Sequence, residues 1–158
     1  NISLPKKKIN IFIPIFFLIL IFSQITLGAF VAGMDAGKIY NTWPLMGSSY
    51  FPNDTDIKDI FSISSFNDPS LVQFMHRNLA YLIFVFYLFI LIKIYSHNLE
   101  KYFLSINLLG LFLIIQIFLG ILTLIYGAQI ILASMHQICS ILLVSSSVYL
   151  LYLNSKFN

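Results

Sequence analysis

Charge is scarce in this sequence. Of its 158 residues only 9% are Asp, Glu, Lys or Arg, against about a quarter in an average soluble domain. So few charges cannot cover a soluble surface. The formal net charge of +3 is small, and no basic patch of the kind that marks a nucleic-acid partner is present. Cysteine is nearly absent too. Cys139 stands alone inside an apolar block, so there is no disulfide framework and no zinc-type Cys/His cluster. A nucleophile–base pair and a phosphate loop are also missing, and no carboxylate falls within an apolar block. No catalytic residue is therefore assigned in this chain. A proton-transfer group for oxidative chemistry would have to come from outside it, or from a bound oxidant or water.

What the sequence has instead is hydrophobic length. Apolar residues make up 59% of the chain, gathered into four blocks at residues 9–33, 71–95, 102–126 and 130–153. A spanning helix needs about 20 such residues. The fold class is all-α: a polytopic membrane protein, a bundle of four transmembrane helices forming one domain over residues 1–158. Residues 34–69 make a long, acidic connection, and the other connections are short. Its first part, GMDAGKIYNTWPLMGSSYFP, carries Tyr40, Trp43 and Tyr50, rings suited to the headgroup level. It is expected to fold back over the mouth of the bundle. Lys6, Lys7, Lys8, Lys93, Lys101 and Lys156 fall on one side of this arrangement, and Lys38, Lys58 and Arg77 on the other. The positive-inside rule then places both termini in the cytoplasm and residues 34–69 outside. The sequence begins at Asn1 rather than Met, with no signal-peptide pattern, and is expected to be a piece of a longer protein.

A weak repeat links the two halves. The first block contains QITLGAF from Gln24 and the third QIFLGIL from Gln116. Each is followed by a block bearing one histidine, so the halves would be related by an axis along the membrane normal. Gln24 with Gly28, and Gln116 with Gly120, are four apart and share a helix face. They are expected chiefly to pack, the glycines admitting a close neighbour and the glutamines hydrogen-bonding across the bundle.

His76 and His136 each lie within about two turns of the outer end of their helices. Those helices run the same way, so the two imidazoles sit at similar depth. Two histidines at one level across a bundle are what axial ligation of one haem iron requires. The competing account is two lone polar groups, each hydrogen-bonded between helices. Arg77 adjoins His76 but points about 100° away around the helix. It is expected to pair with a haem propionate, or else to snorkel to the headgroups. Lys38 is a weaker candidate for the same role. His97 falls in a short cytoplasmic connection and reads as solvated. Asp35, Tyr40, Asn41 and Trp43 could order a lid, touch a partner or simply form an interfacial turn.

Taken in order, GAFVAGMDAGKIYNTWPLMG after QITL, then QFMHRNLAY, QIFLGILTL and LASMHQ resemble the carboxy-terminal half of haem A synthase, of the mitochondrial and alphaproteobacterial type. The resemblance covers nearly the whole chain. It implies half of an eight-helix membrane protein that oxidises a ring methyl of haem O to the formyl of haem A, for cytochrome oxidase. It implies that His76 and His136 are the iron ligands of a b-type haem cofactor, with Arg77 beside it, and that the catalytic glutamate belongs to the other half. It implies a bacterial inner membrane location. The implied partners are haem O, membrane lipid, haem O synthase and cytochrome oxidase assembly factors. This half alone is expected to be inactive. The alternative is a b-type cytochrome subunit that passes electrons without altering its haem. Histidine depth does not separate the two; the segment from Gly33 to Gly47 favours the synthase.

Overall fold

The computed structural model describes residues 8–156. Lys6 and Lys7 of the basic run lie outside the described residues. Four long helices carry the fold: α1 (Phe12–Gly33), α2 (Pro69–Ser96), α3 (Phe103–Ile125) and α4 (Ile130–Lys156). Among the described residues no strand forms beyond an isolated bridge between Met46 and Ser49. The helices contain 22, 28, 23 and 27 residues. At 1.5 Å per residue each reaches the roughly 30 Å of a bilayer's hydrocarbon core. All four are long and apolar enough to cross a membrane. The chain is a multi-pass membrane protein.

The ends of the helices follow from local chemistry. Pro14 sits in the first turn of α1, where a missing amide proton costs least. α2 begins at Pro69, two residues before the apolar block, because Asp68 caps it. The Asp68 carboxylate accepts from the amides of Ser70 at 2.8 Å and Leu71 at 3.1 Å, with proline in the first helical position. At the other end Asn98 takes a left-handed φ of 50°, and Leu99 N–H closes on the Ile94 carbonyl at 3.0 Å. That is a helix stop of the Schellman type. The α3–α4 turn holds two left-handed residues, Gly127 and Ala128.

α1 packs along α2 and α3 along α4, while α1–α4 and α2–α3 touch less. The molecule is therefore two helix pairs laid side by side. Its packed core fills only the half away from the long connection, around Phe17, Leu20, Ile83, Ile90, Leu109 and Leu143. Gly110 lets the Tyr87 ring lie against α3, since a Cβ there would collide with the Tyr87 hydroxyl. A buried hydrogen bond from the Tyr102 hydroxyl to Asn154 Oδ1 (2.7 Å) closes this base. Toward the long connection the packing stops. No residue of α1 is buried beyond Ile21, none of α3 beyond Leu113, and none of α4 before Cys139. On α2 the buried run Ser70–Gln73 lies beneath the connection, and the next buried residue is Ile83. At the level in between, no residue of the four helices is fully buried.

Candidate functional site

His76 and His136 both stand at this level, and their surroundings match. Each imidazole rests on the preceding helix of its own pair. His76 Nε2 lies 3.2 Å from the Gln24 side-chain nitrogen. His136 Nε2 lies 3.4 Å from that of Gln116. One helical turn on, the glycine makes room for the ring. A Cβ on Gly28 would come within 3.3 Å of His76 Cε1, and one on Gly120 within 3.0 Å of His136 Cε1. The Gln-x3-Gly spacing thus builds the same cradle twice.

The cradles share unmet polar atoms. His76 Nδ1, His136 Nδ1, Gln24 Oε1 and Gln116 Oε1 are all buried without a hydrogen-bond partner. Leaving one such atom unpaired costs about 1–3 kcal/mol. Four at one depth, in matching pairs, mark a place built for something other than packing. The cradles also differ. Gln24 donates from the same nitrogen to the backbone carbonyl of His76 at 3.0 Å, which fixes that amide's orientation. His76 Nε2 therefore accepts, and its ring proton sits on Nδ1.

A cap built from residues 36–54 covers this level. Arg77 organises it: Nη2 donates to the Tyr40 carbonyl at 2.8 Å, and Nη1 to those of Thr42 at 2.9 Å and Leu45 at 3.3 Å. Its Nε is buried and unpartnered. Gln73, one turn earlier, also donates to the Tyr40 carbonyl (3.2 Å). Asn41 donates to the carbonyls of Gly37 and Leu124, both at 2.8 Å. The Tyr50 hydroxyl donates to Asn78, and Phe74 meets Tyr50 and Phe51 edge-on. Asp54 fastens the far side, accepting from Tyr40 and Ser70 at 2.8 Å each. Burial raises its carboxyl, but the bonds from Ser70 and Tyr40 prevail and hold it below the usual carboxylate range. Burial and the bond to Asp54 push the Tyr40 phenol up.

The connection thus does fold back over the mouth, and Tyr40 and Asn41 are structural members of that lid. Trp43 is 45% exposed, Lys38 forms an exposed ion pair with Asp35 at 2.7 Å, and His97 is exposed beside the end of α2. None of these three approaches the histidines. Gln73 and Asn78 went unremarked in the sequence, although both lie one turn from Arg77 or closer and so could share its surroundings. The glutamines, expected chiefly to pack, face the imidazoles instead.

A lidded, all-helical membrane bundle with two cradled imidazoles at one depth defines the class. A family of cytochrome oxidase assembly proteins matches over residues 3–148, and this chain belongs to that family. It is 49% identical to a heme A synthase of Pelagibacter ubique over 153 residues, covering 96% of this chain and 44% of that protein. A heme A synthase of Rickettsia bellii is 42% identical over 159 residues, covering 94% and 45%. One of Rickettsia prowazekii is 39% identical over 160 residues, covering 96% and 46%. The chain spans about half the length of the curated relatives it matches. No solved structure matches it. The motif resemblance drawn from residues 24–47, 73–81, 116–124 and 132–137 is thereby borne out.

Proposed function

We propose that this chain is the haem-binding half of a haem A synthase, with His76 and His136 as axial ligands to a b-type haem. The observation that carries this is the pair of matched cradles, each with one imidazole against a Gln-x3-Gly face and the same unpartnered polar atoms. The donor set fits. Among the described residues no group of three or more His, Cys, Asp or Glu gathers as it would for a bare metal ion. An iron here would rest on two imidazoles and bring its own equatorial donors, as a haem does. Bound there, it supplies a one-electron carrier or a structural cofactor. The oxidation of the haem O methyl is assigned to the part of the relatives that this chain does not span, so this half alone is inactive.

The chain's own residues have distinct tasks in this scheme. The glycines admit the rings, and the lid excludes water. Arg77 fixes the lid and keeps Nε–H for a haem carboxylate. Haem O is the substrate class, with haem O synthase and cytochrome oxidase assembly factors as partners. The membrane is the bacterial inner membrane, with both ends of the segment cytoplasmic. The similarity to heme A synthases disfavours the cytochrome alternative.

Purified protein should show a six-coordinate, low-spin b-type spectrum, lost or altered in His76→Ala and His136→Ala. An unchanged spectrum and haem content in both variants would remove the assignment. Cysteine placed at Asn53 should react with impermeant reagents only from outside the cell; cytoplasmic labelling would invert the topology.

A further inference from the structure

On both imidazoles it is Nε2, the nitrogen farther from the backbone, that is already engaged. Nδ1 of each is buried without a hydrogen-bond partner, and the ring edge lies against a glycine: a Cβ at Gly28 would stand 3.8 Å from His76 Nδ1, and one at Gly120 3.5 Å from His136 Nδ1 and 3.7 Å from its Nε2. Nε2 of each faces a glutamine amide, at 3.2 Å and 3.4 Å. The amide can leave by rotating its own side chain. On Gln24 that amide uses both of its protons, one on the Nε2 lone pair and one on the His76 carbonyl.

We propose that Gln24 and Gln116 are positioning residues that occupy the imidazole lone pairs while the site is empty and give them up when iron arrives. The inference rests on the haem-ligation assignment above and adds a direction to it. The glutamines compete with the metal rather than support it. Each holds its ring in one tautomer, protonated at Nδ1, with the ligating nitrogen shielded from protons and stray metal ions. The second contact of Gln24 makes its amide the harder one to displace. His136 is therefore the first ligand to engage and His76 the second.

The test compares the unaltered protein with Gln24→Leu, Gln116→Leu and the double variant, each freed of haem in lipid nanodiscs and titrated with haem. Removing a competing hydrogen bond should raise the rate and affinity of loading, by roughly two- to tenfold for each amide, the net worth of one such bond. Gln24→Leu should have the larger effect. Weaker or unchanged loading in folded variants would overturn the proposal. Histidine nitrogen NMR on the unaltered, haem-free protein gives an answer that no misfolding can confuse. The expected signature is Nδ1–H with Nε2 accepting a hydrogen bond, for two of the three histidines. Protonation at Nε2 would overturn the proposal. If that signature appears but the unaltered protein takes up no haem, the ligation assignment fails, and the inference with it, separately from any result on the leucine variants.

Discussion

The side-chain amide of Asn41 donates to the backbone carbonyl of Leu124 at 2.8 Å, across 83 residues of sequence. Leu124 lies in the last turn of α3, where carbonyls lack i+4 partners, and its carbonyl also accepts from the Gly127 amide at 3.1 Å. The same amide holds the Gly37 carbonyl. One short side chain therefore joins the lid, which grows out of the first helix pair, to the second pair. Asn41→Ala should cost about 1–2 kcal/mol for the two bonds. Faster amide exchange confined to residues 36–46 and the end of α3 would report it.

Arg77 should matter more to the lid than any other side chain. Three carbonyls surround its guanidinium, and hydrogen bonds from a charged donor are worth roughly 1.5–3 kcal/mol. Arg77→Gln should make the segment near Trp43 and Pro44 susceptible to protease while the helix content holds. Arg77→Lys should rescue it only in part, because an ammonium lacks the planar fork. Equal protection in all three forms would show that the lid stands without this contact.

The glycine cradles differ in tightness, and that difference is measurable. A methyl on Gly120 meets His136 Cε1 at 3.0 Å, against 3.3 Å for Gly28 and His76. Gly120→Ala should therefore displace its imidazole further than Gly28→Ala. Haem content should fall in both, and more steeply in Gly120→Ala. The reverse order would contradict the cradle geometry.

Acid should loosen the lid at one corner first. The folded Asp54 carboxyl lies below its ordinary value, because the Ser70 and Tyr40 bonds outweigh burial. A depressed carboxylate contributes stability above its unfolded pKa, near 3.9, and loses it as pH falls through the lower folded value. Tyrosine fluorescence in a variant lacking Trp43, compared with the same variant carrying Tyr40→Phe, should change only as pH falls below about 4. Asp54→Asn should abolish the change.

The helices were legible because their signal is sheer apolar length, which lipid demands and little else produces. The matched depth of His76 and His136 was equally plain, since it needs only helix direction and a count of turns. Gln24 and Gln116 were visible as a repeat, but their role was not. Whether a glutamine faces a neighbouring ring or another helix depends on rotation about the helix axis, and in blocks apolar on every side no polar stripe records that rotation. The Asp68-Pro69 cap carries a local signal, a carboxylate before a proline, but it stands two residues ahead of the apolar run. The bond from Asn41 to Leu124 had no local signal, because it joins segments brought together only by the finished bundle.

The filled base of the bundle has a further consequence. Between the level of the histidines and the opposite face stand Leu20, Ile83, Leu113 and Leu143, with Phe17, Ile90 and Leu109 beneath them. This layer holds no ionisable carboxylate, lysine or histidine, and carrying a charge through such a region is costly. The layer is an insulator. A proton on the histidine side of this layer would find no charged relay through it to the opposite face.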